Sequence, residues 1–250
     1  MLTPYQDSRI QSSIRPLARA KSRSAVSCDT CQVRESAVCA TLSDEERAVL
    51  DAAKSRHNVR RGQVICYEGD EANTVYTVET GTVRLSKLLA DGRRQVTGFL
   101  TAGDFLGLMD DAVHACTAEA VDEVTVCRIE RRAFERLCQR LPRLEHRLRA
   151  HASQVLAAAH EHMLLLGQRS PREKLACFLL RLHERLGNGA APKDALSLPM
   201  KRTDIADFLG LTIETVSRTF TVMRQEGLIE LPEPQLVIFK DREAIEDIAA

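Results

Sequence analysis

The chain has 250 residues and the composition of a globular protein. Its 35 basic and 35 acidic side chains give a formal net charge of zero, and 44% of its residues are hydrophobic, which excludes a disordered chain. No run of about 18 uncharged apolar residues is present, so we expect no transmembrane helix. The first residues lack the apolar core of a signal peptide, and we expect a cytoplasmic protein with one or two domains.

Basic side chains and cysteines mark the N-terminal part of the sequence. Residues 1–24 hold five basic groups against one acid, which predicts a solvated arm able to touch phosphate. Eight cysteines occur in the chain, and Cys28, Cys31 and Cys39 form the spacing C-x2-C-x7-C while the other five are scattered. An intracellular chain of this size does not need disulfides, so the close spacing is more informative than the even count.

The next segment changes from helical to strand patterns. Residues 42–55 predict a short helix capped by Ser43. Short alternating runs separated by glycine turns then predict strands, and Asp91-Gly92 is the strongest hairpin signal among them. Several short strands of this kind indicate a small antiparallel barrel or roll. The predicted strands lie within 62–70, 74–89, 93–108 and 117–130.

A long helix is predicted from Leu144 to Leu166. Apolar residues recur along it at steps of three and four, in a stripe of about three heptads, while most other positions are polar. Such a narrow stripe favours pairing with a second copy of the chain, and packing on the roll of the same chain is the alternative. The stripe consists of Leu144, Leu148, Ala152, Val155, Ala159, Met163 and Leu166.

The C-terminal third begins with a new helix. Ser170 and Pro171 are typical of a helix start, and we expect this helix to end near Leu186. Residues 187–192 are predicted as a loop. A two-stranded wing is expected within 228–241, followed by a short helical tail over 242–250.

Residues 201–229 predict a helix–turn–helix motif. Gly210 falls where the first helix must end and turn sharply, and Thr212 caps the second helix. In this motif the second helix enters the major groove of DNA. The residues expected to face inward are Ile213, Val216, Phe220 and Met223. The residues expected to face outward are Glu214, Thr215, Ser217, Arg218 and Thr221.

The outward residues suit the recognition of base edges. Arg218 is able to donate two bonds to guanine, Glu214 to accept from a cytosine amino group, and Ser217 to touch a base or a phosphate. Arg202 is the candidate for a phosphate contact. The alternative is a solvated helical hairpin in which Glu214 and Arg218 form an i,i+4 pair. Residues 201–226 have no net charge, so affinity must come from local placement and from two copies.

Together these features resemble the cyclic-AMP receptor protein / fumarate-and-nitrate-reduction regulator (CRP/FNR) superfamily. The segments that carry the resemblance are TGFLTAGDFLG, LLLGQRSPREKLACFLL and DFLGLTIETVSRTF. It implies an α+β fold with an antiparallel β-roll like a cyclic-nucleotide-binding jelly roll, a long dimerisation helix and a winged helix–turn–helix. The boundaries would be 1–45 for the arm and cysteine segment, 46–135 for the roll, 136–168 for the dimerisation helix and 169–250 for the DNA-binding domain.

The motif E-x-x-S-R, formed by Glu214, Ser217 and Arg218, is similar to that of the oxygen-responsive branch. This similarity implies a homodimer that binds palindromes such as TTGAT–four bases–ATCAA and works with RNA polymerase on anaerobic or microaerobic genes. Oxygen would dismantle an iron–sulfur cluster and shift the protein to a state that does not bind DNA. No paired carboxylates, nucleophile–base set or phosphate loop is evident in the sequence, so we expect no enzyme.

The same resemblance implies a [4Fe-4S] cluster held by Cys28, Cys31, Cys39 and Cys127. Cys116 is the rival for the fourth position. Four thiolates are the usual complement of such a cluster. Zinc is the competing metal, since four thiolates also suit a tetrahedral site, and a set of free thiols is the third interpretation. The remaining cysteines, Cys66, Cys116, Cys138 and Cys177, are expected to be small buried hydrophobes.

Three further expectations concern differences within the superfamily. The nucleotide-binding members carry Gly-Glu and Arg-Ser pairs where this chain has acids such as Asp110 and Asp111, so no cyclic nucleotide is expected. The chain has seven histidines, and a histidine could serve as an axial ligand of haem. A haem-based regulator and a thiol-redox regulator are therefore the alternatives to an iron–sulfur regulator. The acidic residue that gates dimerisation in the archetype corresponds here to Ala159, which predicts easier dimerisation.

Overall fold

We describe the chain from a computed structural model, over residues 27–108, 112–186 and 194–250. The basic arm, Asp110 and Asp111, and the predicted loop 187–192 lie outside the described residues. The fold comprises an N-terminal β-roll, a long helix and a C-terminal helical unit with a small sheet, as the sequence predicts. None of the described helices combines the length and the apolar character that crossing a membrane requires.

A 3₁₀ turn at Cys28–Thr30 and helix α1, Asp44–Ala53, precede the roll. Ser43 begins α1 because its hydroxyl accepts from the Glu46 amide at 3.3 Å, while the Glu46 carboxylate accepts from the Ser43 amide at 2.8 Å. This reciprocal pair satisfies two backbone donors that a helix start otherwise leaves unpaired. The predicted short helix is confirmed, although it ends two residues early.

The roll is built from two antiparallel four-stranded sheets, with strand orders β1-β8-β3-β6 and β2-β7-β4-β5. Aliphatic side chains such as Val59, Val78 and Val83 fill the space between them and are at most 1% exposed. The strands of the described roll are β1 Lys54–Val59, β2 Val64–Cys66, β3 Thr74–Thr80, β4 Val83–Leu88, β5 Arg94–Leu100, β6 Phe105–Leu106, β7 Thr117–Ala120 and β8 Val124–Glu130.

The hairpin predicted at Asp91-Gly92 is confirmed by the antiparallel pairing of β4 with β5. Gly92 has φ +83°, a conformation that other residues adopt only with strain. Strand β1 was not predicted, because its sequence KSRHNV is almost wholly polar. It is an edge strand that pairs only with β8, and such a strand needs no apolar alternation.

Two helices lead from the roll to the C-terminal unit. Helix α2, Arg131–Arg140, packs on the roll, and helix α3, Pro142–Gln168, is the predicted long helix. Leu141 and Leu144 at the start of α3 lie in one apolar cluster with Phe134 of α2 and Phe105 of the roll. The long helix is therefore anchored to its own roll at its N-terminal end.

In its described residues, the C-terminal unit holds four helices and a three-stranded sheet in the order β10-β11-β9. The predicted two-stranded wing is present, but a third strand, β9, joins it. This strand has only three residues, too few for a recognisable alternation. The elements are α4 Pro171–Leu186, β9 Ala195–Ser197, α5 Arg202–Leu209, α6 Ile213–Gln225, β10 Ile229–Glu233, β11 Leu236–Phe239 and α7 Arg242–Ala249.

Candidate functional site

The four cysteines predicted as cluster ligands line one cavity between the N-terminal segment and the roll. Cys28, Cys31 and Cys39 all come from the segment before α1. Cys28 lies in the 3₁₀ turn, and Cys39 lies in a later turn of the same segment. Cys127 lies on β8, a strand hydrogen-bonded on both sides, opposite Arg56 of β1 and Thr77 of β3. The fold thus brings three residues of a local motif to a fourth that is far away in the sequence.

A hydrogen bond fixes the start of this segment. The Cys28 amide donates to the Asp51 carboxylate of α1 at 3.0 Å, and the same carboxylate oxygen pairs with the Lys54 ammonium at 3.0 Å. Lys54, Arg47 and Arg34 all line the cavity, so three cations stand beside the thiols, against the one carboxylate of Glu79. Their charges would offset the negative charge of a thiolate-ligated cluster.

The thiols in the cavity influence one another electrostatically. Burial raises the pKa of the Cys28 thiol to about 12, and a hydrogen bond of this side chain with Asp51 adds to the effect. Burial likewise raises the pKa of Cys39, and the nearby thiol of Cys31 raises it further. Desolvation on β8 raises the pKa of Cys127, with smaller contributions from the Cys28 and Cys39 thiols. Binding any metal here must therefore release protons.

The donor set and the walls of the cavity fit an iron–sulfur cluster. Four thiols face a space whose wall also includes apolar side chains such as Val33, Leu50 and Phe134, beside the charged ones named above. No three His, Cys, Asp or Glu side chains of the described residues are arranged to hold a single metal ion. Four thiolates are the usual complement of a [4Fe-4S] cluster, and such a cluster would be held by Cys28, Cys31, Cys39 and Cys127.

The other cysteines lie elsewhere. Cys116 precedes β7 in the opposite sheet and is not part of the cavity wall, which supports Cys127 as the fourth candidate. Cys66 and Cys177 are buried, as expected for small hydrophobes. Cys116 and Cys138 are only half-buried, so that expectation is wrong for these two. Cys116 lies just before β7, and Cys138 lies on α2, where it packs at the edge of the apolar cluster that contains Phe134.

The helix–turn–helix is formed by α5 and α6. Gly210 ends α5 in the left-handed conformation with φ +63°, and a Cβ added there would lie 3.2 Å from Cδ2 of Leu166. Thr212 caps α6 by accepting from the Thr215 amide at 3.2 Å. Both predictions for the turn are confirmed. The close approach of Leu166 also ties the turn to the end of the long helix.

Packing of α6 leaves one face uncovered. Val216, Phe220 and Met223 are at most 2% exposed, as predicted, and Thr219 joins them inside. Ile213 is 40% exposed, contrary to the prediction, because it is the first residue of α6 and precedes the turns that pack on α5. The uncovered face, which we call the recognition face, consists of the exposed residues Glu214, Ser217, Arg218 and Thr221.

The remaining predicted residues lie near this face. Thr212 is exposed as the helix cap, and Thr215 is half-buried beside it. Glu214 and Arg218 are both exposed, and the part of the chain that the structure describes shows no ion pair between them. Both side chains project freely from one face of the second helix, which is the geometry that a base-contacting helix requires.

Arg202, the candidate for a phosphate contact, makes two contacts with its own chain. Its guanidinium stacks on the Phe220 ring, 3.2 Å from the centroid, and donates to the Pro234 carbonyl at 2.9 Å. Burial lowers the pKa of Arg202 to about 10. The side chain thus joins α5, α6 and the wing, and its contact with a phosphate stays a prediction.

The predicted dimer seam divides into two halves. Leu144 is fully buried in the roll cluster, so it is not available to a second chain, and Leu148 packs against the same cluster. Ala152 and Val155 are half-buried. Ala159, Met163 and Leu166 are exposed, as are Leu156 and Leu164, which the prediction did not include. The first half therefore packs on its own roll, and the second half presents an apolar surface.

The roll and the C-terminal unit together define a class of protein, a sensor-like β-roll joined to a DNA-binding helix–turn–helix. Residues 56–141 match the cyclic nucleotide-binding domain and residues 173–248 match the Crp-like helix-turn-helix domain. These two matches coincide with the roll and the C-terminal unit seen in the structure. The match to the cyclic nucleotide-binding domain concerns the fold of the roll. That no cyclic nucleotide binds stays a prediction.

Individual relatives agree with these matches. The nitrogen fixation regulation protein FixK of Bradyrhizobium diazoefficiens is 43% identical over 82% of this chain and 86% of its own. The transcriptional activator protein FnrL of Cereibacter sphaeroides is 36% identical over 86% and 88%. The solved structure of FixK2 from Bradyrhizobium japonicum superposes with a TM-score of 0.74 at 34% identity, covering 79% of this chain and 98% of that one. The chain belongs to the CRP/FNR family of DNA-binding transcription regulators.

Proposed function

We propose that this regulator is a homodimer that senses oxygen through a [4Fe-4S] cluster and binds a palindrome of the TTGAT–four bases–ATCAA type. The observation that carries the proposal is the meeting of Cys28, Cys31, Cys39 and Cys127 at one cavity. When bound, the cluster supplies the sensitivity to oxygen. The relatives described as activators suggest that the protein activates transcription, with RNA polymerase as its partner.

The chain's own residues account for how such a cluster would be held. Cys28, Cys31 and Cys39 lie on a segment attached to α1 through Asp51, and Cys127 lies on a central strand of the roll. A group bound by all four would tie this segment to the roll. Leu42 and Val38 of the segment belong to the same apolar cluster as Leu144 of the long helix. The cysteine segment therefore packs against the helix that carries the dimer surface.

On the DNA side, the recognition face supplies the specificity. Arg218 would contact a guanine and Glu214 a cytosine in each half-site, and the exposure of Glu214, Ser217 and Arg218 on one face supports this. Two copies of α6 would have to lie about one DNA turn apart, which requires a two-fold dimer. The exposed apolar half of α3, with Leu156 and Met163, is the surface that a second copy would cover.

The proposal is tested by the absorption spectrum and by the iron and sulfide contents of protein purified without oxygen. A broad brown absorption with four irons and four sulfides per chain, bleached by air, is the expected result. A sharp Soret band would identify a haem regulator instead. A colourless protein with bound zinc or with free thiols only would refute the cluster.

A further inference from the structure

Four charged side chains join the roll to the first helix of the helix–turn–helix. Arg84 of β4 and Arg94 of β5 both contact Asp204 of α5, with N···O distances of 2.5 and 2.8 Å. Arg94 also contacts Asp207, one turn further along α5, at 2.6 Å. We call Arg84, Arg94, Asp204 and Asp207 the interdomain ion cluster.

The centre of this cluster is shielded from water. The Asp204 side chain is 4% exposed and the Arg84 side chain 11%. Exposed ion pairs contribute little to stability, but removing one partner of a buried pair leaves an unpaired charge in a poorly solvated place, which is costly. β4 and β5 are neighbours in one hairpin, and one arginine from each strand contacts the same oxygen of Asp204. The cluster thus favours a single orientation of α5.

Apolar contacts surround the ion cluster and belong to the same interface. Phe208 of α5 lies 5.5 Å from Phe99 of β5 and stacks on His162 of the long helix at 4.1 Å, measured between ring centroids. Gln95 of β5 also donates to the Asp207 carbonyl. Elements β4, β5 and α3 therefore all contact α5. The ion pairs require a defined geometry between charged groups, whereas the apolar contacts tolerate small shifts of α5.

The orientation that the cluster fixes leaves the recognition face free. Helix α6 packs on α5, and Glu214, Ser217 and Arg218 are exposed while Asp204 is held by the roll. The contact is therefore compatible with DNA binding and does not cover the residues that would touch bases. A change in the angle of α5 would move α6 with it, because Val216 and Phe220 are buried in the same core.

We propose that the interdomain ion cluster sets the angle of the recognition helix relative to the roll, and thereby the half-site spacing that the dimer accepts. The inference rests on the proposed binding of a dimer to palindromic DNA. Arg94 and Asp204 are positioning residues, since they act on α6 through α5 and touch no base. In a two-fold dimer the distance between the two copies of α6 depends on the seam and on this angle.

The test compares Arg94→Gln with Arg93→Gln in the full chain. Arg93 is the matched control, because it neighbours Arg94, is 77% exposed and pairs only with Asp91 of the same hairpin among the described contacts. Affinities are measured by fluorescence anisotropy on palindromes with spacers of two, four and six bases. We expect the wild type and Arg93→Gln to prefer one spacing strongly. Arg94→Gln should bind the preferred DNA about tenfold more weakly and discriminate less between spacings.

Two results would overturn the inference. One is an Arg94→Gln protein that keeps the wild-type preference for spacing. The other is an equal loss on all three DNAs, since that would indicate a general loss of folded protein. Arg94→Lys, which keeps the charge, should recover part of the discrimination.

Hydrogen exchange separates this inference from the proposed function. A wild type without any spacing preference would refute the palindromic mode of binding. In that case the hydrogen-exchange rates of the backbone amides of residues 202–209 test the role of the interdomain ion cluster. Faster exchange there in Arg94→Gln, but not in Arg93→Gln, would support the ion cluster as the element that holds α5, and unchanged exchange would overturn it.

Discussion

The helix–turn–helix and the cysteine cavity differ in how complete each is without a ligand. The DNA-binding unit has a continuous core, and its recognition face is already arranged by the packing of Val216, Phe220 and Met223. The cysteine cavity brings together thiols whose pKa values are raised by burial, as for Cys28 and Cys127, so they are protonated at neutral pH. A ligand would therefore complete mainly the sensor site, whereas DNA would meet a preformed surface.

The largest effect is expected from Cys127→Ser. Without the thiolate of β8, a cluster would lose its only ligand from the roll, and we expect loss of the iron and of anaerobic DNA binding. Cys116→Ser is the control, because Cys116 is half-buried and lies outside the cavity wall. Iron analysis of anaerobic protein provides the measurement. If Cys127→Ser keeps its iron and Cys116→Ser loses it, the ligand assignment is wrong.

Ala159→Asp tests the exposed half of the long helix. In a parallel two-fold pair, residue 159 faces its copy, and two carboxylates there would repel each other in a partly dry seam. We expect the wild-type apo protein to be at least partly dimeric in air, and the variant to be monomeric until the cluster is rebuilt. Sedimentation of both proteins with and without oxygen checks this. A wild-type apo protein that is wholly monomeric at micromolar concentration contradicts it.

Arg218→Ala probes the recognition face without disturbing the core, since Arg218 is exposed. The loss of a bidentate contact to guanine should cost about 1–3 kcal/mol at the cognate site and relax the preference for one base pair per half-site. Binding to DNAs substituted at each position measures both effects. A uniform loss on all sequences would show that Arg218 contacts phosphate and not a base.

Arg202→Met separates an internal role from a phosphate contact. Loss of the stacking on Phe220 and of the bond to Pro234 should lower the free energy of unfolding by about 1–2 kcal/mol. The slope of affinity against salt concentration should stay unchanged, because no DNA phosphate is released. A slope lowered by about one would instead support the phosphate contact that the sequence predicts for Arg202.

Gly210→Ala should have the smallest effect. The left-handed φ of +63° strains any residue with a Cβ, and Leu166 stands 3.2 Å from the added atom. We expect a loss of about 1 kcal/mol in stability, seen as a lower midpoint of chemical unfolding. Gly167→Ala is a suitable control, since nothing lies within 4 Å of its added Cβ and it is helical. Equal stability of the two variants would mean that the turn tolerates the change.

The sequence alone determined the features that arise within short segments. The capping of α1 by Ser43, the hairpin at Asp91-Gly92 and the sharp turn at Gly210 each depend on residues only a few positions apart. Local backbone preferences act over that range and depend directly on the residue types. The order of roll, long helix and helix–turn–helix followed from the same signals.

Only the tertiary structure decided which distant residues meet. It brought Cys127 rather than Cys116 to the other three cysteines, buried Leu144 in the roll and turned Arg202 inward onto Phe220. It also joined Asp204 to Arg84 across the domain interface, a contact between residues 120 positions apart that no local pattern indicates. Such contacts depend on how whole elements pack against one another, and the spacing of residues along one element carries no information about its neighbour.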